Sequence, residues 1–212
     1  MRYSVKEIFY TLQGEGAQAG RAAVFCRFVG CNLWSGLEKD RPIAICKFCD
    51  TDFIGHSDPD GGNFETASQL ADRIEQTWRA SLPAAKKLVV FTGGEPLLQL
   101  DGRLIEEMHT RNFEIAVETN GTIAAPAGLD WICVSPKAGT RLVQASGDEL
   151  KLVFPQAEAM PEKYQGLTFR HFFLQPMDGP TRTLNTEEAI RYCLSNPIWR
   201  LSLQTHKFVG IR

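Results

Sequence analysis

The chain has 212 residues, of which 43% are hydrophobic and 23% charged, and its formal net charge is −2. This balance is typical of one globular domain, and it predicts neither a nucleic-acid-binding surface nor a membrane protein. No run approaches the roughly 18 apolar residues of a transmembrane helix, and the first residues lack the apolar core of a signal peptide. We therefore expect a single cytoplasmic domain over residues 1–212.

Short apolar or alternating runs predict strands at residues 23–29, 88–92, 114–119, 131–135, 149–154, 171–175 and 200–206. Helical patterns lie between several of them. One opens with a capping box at Thr66, a second places apolar side chains on one face around Leu104, and a third begins near Asn185. Strands alternating with helices predict an α/β fold whose parallel sheet has outer helices and is either open or rolled into a barrel.

The run at residues 149–154 favours the curved, barrel-like form. Its charged residues, Glu149 and Lys151, alternate with Leu150, Leu152 and Phe154. Because successive strand side chains point to opposite faces, one face packs against helices and the other is polar. A polar interior is a place to hold a ligand. The segment rich in Gly, Asp and Pro at residues 55–64 is predicted to be an exposed loop.

Cys31, Cys46 and Cys49 lie close together in the sequence. In a reducing cytosol, clustered cysteines bind metal or do redox chemistry more often than they form disulfides. A structural zinc site would need a fourth ligand, such as His56 or Asp50, and it usually shows two ligand pairs. A four-iron cluster needs only three thiolates when its fourth iron binds a small molecule, so we favour a cluster.

The remaining cysteines, Cys26, Cys133 and Cys193, lie within the predicted strands or on a predicted helix face. Free cysteine is one of the most frequently buried residue types. We expect these three to be small buried side chains without a chemical role.

The string Thr92-Gly93-Gly94-Glu95 ends the apolar run at residues 88–91. Glycines let the backbone approach a zwitterion closely, and a glutamate can accept from an ammonium group. A plain tight turn is the alternative. A cysteine cluster followed by Gly-Gly-Glu-Pro resembles the radical S-adenosylmethionine (SAM) enzymes. The fourteen residues between Cys31 and Cys46 depart from the usual short spacing of that superfamily and form an insertion at residues 32–45.

Strings along nearly the whole chain resemble one family, the 7-carboxy-7-deazaguanine synthases, some of which have this extended cysteine spacing. These strings are Gln13-Gly14-Glu15-Gly16, residues 25–33, Cys49-Asp50-Thr51, Glu118-Thr119-Asn120-Gly121, Ser135-Pro136-Lys137, Gln175-Pro176 and Gln204-Thr205-His206-Lys207. The resemblance implies a partial, open (β/α) barrel of the radical SAM type.

The implied reaction converts 6-carboxy-5,6,7,8-tetrahydropterin to 7-carboxy-7-deazaguanine by ring contraction with loss of ammonia, on the route to queuosine. A reduced 4Fe-4S cluster would cleave SAM, the resulting radical would take hydrogen from C6 of the pterin, and SAM would be regenerated. Magnesium would assist. The resemblance also implies a homodimer and a flavodoxin or ferredoxin as the reductant.

The same resemblance implies roles for individual residues. Cys31, Cys46 and Cys49 would hold the cluster, and Asp50 and Thr51 would bind magnesium. The SAM site would comprise Phe48, Thr92, Gly93, Gly94, Glu95, Glu118, Thr119, Ser135, Lys137 and Gln175. The pterin site would comprise Leu12, Gln13, Gly14, Glu15, Gly16, Arg27, Thr92, His206 and Arg212. In chemical terms, Glu15 can accept from the pterin amino group and ring N–H, and Arg27 can pair with its carboxylate.

Two other functions stay open at this stage. A small activase that installs a glycyl radical on a partner protein shares the size and motifs, whereas a non-catalytic iron–sulfur module would need neither Gly94 nor Glu95. The chain ends six residues after His206. We therefore expect no closing helix, an open barrel side, and last residues that cover the pterin.

Overall fold

A computed structural model describes residues 2–57, 59–80 and 86–212. Within these residues the strands are β1 (Tyr3–Leu12), β2 (Ala22–Phe28), β3 (Gly62–Phe64), β4 (Lys87–Gly93), β5 (Phe113–Thr119), β6 (Trp131–Val134), β7 (Ser146–Phe154), β8 (Thr168–Pro176) and β9 (Trp199–Leu201). The helices are α1 (Ala67–Thr77), α2 (Gly102–Thr110), α3 (Arg182–Ser195) and α4 (Thr205–Val209). None of the described helices is long and apolar enough to cross a membrane.

The described strands form one sheet in the order β3-β1-β2-β4-β5-β6-β7-β8-β9. All neighbours from β2 to β9 are parallel, which confirms the predicted α/β class and the partial, open barrel. Two antiparallel strands were not expected: β1 pairs with β2, and β3 pairs with β1. Since β3 lies at residues 62–64, the prediction of a loop through residue 64 is wrong there.

Two apolar clusters pack helices onto the sheet. Around β1, β2, β4 and β5, the larger cluster includes Leu70 and Ile74 of α1 and Leu104 of α2, all fully buried. The smaller cluster lies around β7, β8 and β9 and includes Ala189 of α3. Helix α1 begins with the expected capping box, in which Thr66 Oγ1 accepts from the backbone N–H of Gln69 at 3.2 Å.

Strand β7 has the predicted two faces. Leu150, Leu152 and Phe154 are buried in the cluster beside α3. Glu149 and Lys151 are also buried, but they point to the other side, where they contact the segment after β1. The alternation along this strand therefore places two charged side chains inside the molecule.

The carboxyl-terminal part of the chain differs from the expectation. The last strand, β9, ends at Leu201, so the strand predicted at residues 200–206 is too long, and its last two residues belong instead to the short helix α4. Helix α3 begins at Arg182, three residues before Asn185, and its Leu194 is exposed. The helix packs on the sheet through Ala189, with Tyr192 and Cys193 partly buried beside it.

We expect Thr66→Ala to lower the free energy of unfolding by about 1 kcal/mol, because the first turn of α1 would lose the side-chain acceptor for a backbone N–H. Urea unfolding of the cluster-free protein measures this change. The matched control, Thr66→Ser, keeps the hydroxyl and should lose much less. Equal losses in the two variants would show that the capping hydrogen bond is not responsible.

Candidate active site

One cavity of about 470 Å³ lies at the carboxyl ends of the parallel strands. Its volume is in the range of small-molecule sites, and this end of a parallel sheet is where such sites are found. The predicted site residues that line it are Leu12, Gln13, Gly14, Glu15, Arg27, Cys31, Cys46, Phe48, Cys49, Asp50, Thr51, Thr92, Gly93, Gly94, Glu118, Thr119, Ser135, Lys137, Gln175, His206 and Arg212. The predicted residues Gly16 and Glu95 do not line it.

The three clustered cysteines share one wall of this cavity and form no disulfide. Cys46 is buried, whereas Cys31 and Cys49 are partly exposed. In the described ranges, no group of three or more His, Cys, Asp or Glu side chains converges on a single metal ion. A four-iron cluster does not require such convergence, because its thiolates bind different irons. Three free thiols that line one cavity fit a cluster of this kind.

Arg41, which belongs to the insertion at residues 32–45, stabilises the loop that carries Cys46 and Cys49. Arg41 lies over the ring of Trp34, with its guanidinium carbon 4.0 Å from the ring centroid. The same guanidinium donates to the backbone carbonyls of Lys47 at 2.9 Å and Cys49 at 3.2 Å. A guanidinium can join several acceptors in one plane, so Arg41 fixes the backbone around the cysteine pair. We did not identify Arg41 from the sequence, since a surface arginine in an insertion has no distinguishing pattern.

The Gly-Gly segment passes tightly against the cysteine loop. A Cβ atom on Gly94 would overlap the carbonyl oxygen of Gly30 and lie 2.7 Å from the Cβ of Cys31. Gly93 has a φ of +141°, and a Cβ there would overlap the backbone of Phe28. Only glycine fits this close approach of β4 to the loop after β2.

Glu95 is fully buried behind the cavity wall. Its carboxylate accepts from the backbone N–H groups of Leu97 at 3.0 Å and Asn120 at 2.8 Å, and from Thr119 Oγ1 at 2.8 Å. Burial raises the pKa of Glu95, and these three donors offset part of the shift. The contacts connect the Gly-Gly segment to the end of β5, and direct pairing of Glu95 with a ligand ammonium stays a prediction.

Gly16 is placed outside the cavity by a close contact with β7. A Cβ on Gly16 would lie 2.5 Å from Glu149 Oε1, and its φ is +64°. The Glu149 carboxylate also accepts from the backbone N–H of Ala17 at 2.7 Å. Gly16 therefore lets the segment after β1 pack closely against β7, although its own atoms do not line the cavity.

Lys151 joins two of the predicted residues at the base of the cavity. Its ammonium group donates to Glu15 Oε2 and lies 3.4 Å from Glu118 Oε1. Glu118 Oε1 also accepts from Gln13 Nε2 at 3.0 Å. Residues from three separate parts of the chain are thus connected by one buried cation.

Arg27 is held by Glu7, whose Oε1 accepts from Arg27 Nε at 2.9 Å. Glu7 Oε2 accepts from Arg212 Nη2 at 2.6 Å, so both arginines meet at one carboxylate. Within the described ranges, the two Nη atoms of Arg27 make no hydrogen bond. They are available to a ligand carboxylate.

The segment after β9 crosses the cavity and is attached on both sides. The backbone N–H and Oγ1 of Thr205 both donate to the carbonyl of Gly14, at 3.0 and 2.8 Å. Lys207 Nζ lies 2.6 Å from both Asp50 Oδ2 and Asp178 Oδ2. This segment lines the cavity and includes α4, a helix that we had not expected; that it covers a pterin stays a prediction.

The sequence analysis assigned no role to several residues that the structure places at the cavity. Lys151, Gln204, Lys207, Asp178 and Glu7 line the cavity or hold a residue that does. Cys133, which we predicted to be a plain buried cysteine, is buried but also lines the cavity. The alternation along β7 predicted that the Lys151 side chain points to the polar face of the sheet. The partners of these side chains could not be predicted, because they depend on contacts between segments that are distant in the sequence.

We expect Gly94→Ala to lower the iron and sulfide bound per chain by roughly half or more, since the new Cβ forces the Cys31 loop to move in a close-packed region. Iron and sulfide analysis after anaerobic reconstitution measures this. Gly102→Ala is the matched control, because a Cβ on Gly102 meets no heavy atom within 4 Å. Equal iron content in both variants would contradict the prediction.

We expect Lys207→Met to speed amide hydrogen exchange in residues 203–212 roughly tenfold, because two charge-assisted contacts are lost. Lys163→Met, which removes a lysine bonded to a backbone carbonyl elsewhere, should not change it. In the unsubstituted chain, the hydrogen bond from Lys207 lowers the pKa of Asp178. The attachment should therefore persist at neutral pH and weaken as the pH falls below about 3.9, the usual aspartate value. Unchanged exchange in Lys207→Met would contradict this account.

Comparison with known proteins agrees with this geometry. A profile of the Radical SAM superfamily matches residues 43–192. The 7-carboxy-7-deazaguanine synthases of Caulobacter vibrioides and Bradyrhizobium diazoefficiens are each 64% identical to the chain, with 100% of both sequences covered. The crystal structure of QueE from Escherichia coli has a TM-score of 0.68 and 28% identity, covering 96% of this chain and 94% of that one. The chain therefore belongs to the 7-carboxy-7-deazaguanine synthase family of the radical SAM superfamily.

Proposed function

We propose that the protein converts 6-carboxy-5,6,7,8-tetrahydropterin to 7-carboxy-7-deazaguanine, with loss of ammonia, in the biosynthesis of 7-deazapurines such as queuosine. Full-length relatives with this enzyme name support the assignment. The structural observation that carries it is the single cavity shared by the cysteines, the Gly-Gly segment and the Gln13-to-Glu15 segment.

The superfamily implies a 4Fe-4S cluster and SAM, and the residues present fit both. Cys31, Cys46 and Cys49 would hold the cluster, which supplies the electron for reductive cleavage of SAM when it is bound. Around it, backbone at Gly93 and Gly94 can approach a zwitterion closely. The other proposed SAM contacts come from Phe48, Thr92, Glu118, Thr119, Ser135, Lys137 and Gln175, which line the same cavity.

The pterin would lie beside the segment that follows β1. The carboxylates of Glu15 and Glu118 and the amide oxygen of Gln13 can accept from the amino group and ring N–H groups of a pterin. The free Nη atoms of Arg27 would bind its carboxylate. His206 and Arg212 complete the enclosure, since both line the cavity from the carboxyl-terminal segment.

The proposal includes a magnesium site, with Thr51 and Asp50 as the candidate ligands. Both residues line the cavity beside the cysteines, and magnesium needs few protein ligands when substrate and water supply the rest. The carboxylate of Asp50 also accepts from Lys207 at 2.6 Å and Gln204 at 3.3 Å. Asp50 would thus hold the carboxyl-terminal segment near the metal.

A homodimer, a flavodoxin or ferredoxin reductant and a cytoplasmic location complete the proposal, and the family resemblance supports each of them. The two alternatives from the sequence fit less well. A glycyl-radical activase acts on a polypeptide, whereas the lining of this cavity is matched to a small molecule with N–H donors and a carboxylate. A binding module would not need the SAM-facing glycines.

The test is an anaerobic reaction of the reconstituted, reduced protein with SAM, magnesium and 6-carboxytetrahydropterin, analysed by mass spectrometry. We expect 7-carboxy-7-deazaguanine from the unsubstituted enzyme and none from Cys46→Ala, because two thiolates cannot retain the catalytic cluster. Cys193→Ala is the control, since Cys193 lies on α3 outside the cavity.

Two other outcomes would decide against parts of the proposal. If 5′-deoxyadenosine accumulates without the deazaguanine product, the enzyme is a radical SAM enzyme with another substrate. If neither compound forms while the iron content is intact, the binding-module alternative gains support.

A further inference from the structure

Lys151 makes an ion pair with each of two carboxylates that line the cavity, Glu15 and Glu118. Its side chain is 5% exposed, and the side chains of Glu15 and Glu118 are 12% and 22% exposed. Glu15 follows β1, Glu118 lies on β5 and Lys151 lies on β7. The ammonium group therefore brings two anionic groups together that belong to separate segments.

Both carboxylates keep acceptor capacity for a ligand. Glu15 Oε1 accepts from Gln204 Nε2 at 3.1 Å, and among the described residues Glu118 Oε2 accepts only a long hydrogen bond of 3.4 Å, from Thr92 Oγ1. Each carboxylate oxygen has two lone-pair sites, so these contacts leave several positions unfilled. The pair forms an acceptor-rich surface at the base of the cavity.

Other charged or titratable groups surround the pair. They are Cys133 on β6, Glu149 on β7, Lys137 after β6 and His206 on α4. Burial raises the pKa of Glu15, but the Lys151 ammonium lowers it, and the net shift is downward. Burial lowers the pKa of Lys151, but Glu118 and Glu15 raise it well above its usual value. Two adjacent buried carboxylates without a shared cation would not both stay ionised.

We propose that Lys151 is a positioning residue for substrate recognition: it holds Glu15 and Glu118 side by side as ionised acceptors, which selects a ligand edge carrying several N–H donors. The guanidine-like edge of a pterin is such an edge. This inference rests on the proposed function and adds a residue that neither the family motifs nor the sequence pattern assigned to the site.

The test measures binding of 6-carboxypterin to the reconstituted enzyme with SAM, by the quenching of pterin fluorescence, from about pH 6 to about pH 8. The unsubstituted enzyme should bind with nearly constant affinity over this range. In Lys151→Met, one carboxylate should hold a proton at the lower pH, so binding should be about tenfold weaker there and should recover as the pH rises.

Two variants separate charge from structure. Lys151→Arg keeps the cation and should keep the flat pH profile. Lys87→Met removes an ion-paired strand lysine outside the cavity and should change neither affinity nor pH profile. A uniform loss of affinity at every pH in Lys151→Met, or the same pH-dependent loss in Lys151→Arg, would overturn the proposal.

If Lys151→Met does not fold, the double variant Lys151→Met with Glu118→Gln decides the question, since removing one carboxylate charge removes the repulsion. The double variant should fold, and its failure would overturn the proposal. Absence of 6-carboxypterin binding in the unsubstituted enzyme would instead count against the proposed function. The two failures are therefore distinguishable.

Discussion

The parallel register of β2 and β4 to β9 is the constraint on which the site depends. Parallel strands end on the same side, so residues that are far apart in the sequence are brought to one rim. The cysteine loop follows β2, the Gly-Gly segment ends β4, and Thr119 ends β5. The cavity forms where these ends meet, and its chemistry is distributed over the whole chain.

The amino-terminal strand and the carboxyl-terminal segment complete what the parallel sheet leaves open. Strand β1 extends the sheet in the antiparallel direction, and the residues after it turn into the cavity. Thr205 donates to Gly14, and Thr11 Oγ1 donates to the backbone carbonyl of Arg212 at 2.8 Å. Hydrogen bonds thus join the amino-terminal and carboxyl-terminal segments, and the proposed pterin site lies between them.

Buried charged groups with fixed partners lie at two places around the cavity. At one end of the cavity, Glu95 is buried with three donors, and it ties the Gly-Gly segment to β5. At the other end, Glu15 and Glu118 share Lys151. Removing a buried charge from water is costly unless its partners are fixed in place. In the proposed recognition of the pterin, the same fixed partners keep Glu15 and Glu118 available to the donors of the ligand.

The sequence by itself determined the fold class and the cysteine cluster, and its resemblance to a known family named about half of the residues that line the cavity. These features are local: strand alternation sets the two faces of β7, glycines mark the close approach at Gly93 and Gly94, and motif strings mark strand ends. Tertiary structure alone decided that Glu95 lies behind the wall, that Gly16 packs on Glu149, and that the last predicted strand is cut short and followed by α4. It also supplied the partner of Lys151, because contacts between segments more than one hundred residues apart leave no periodic signal in either segment.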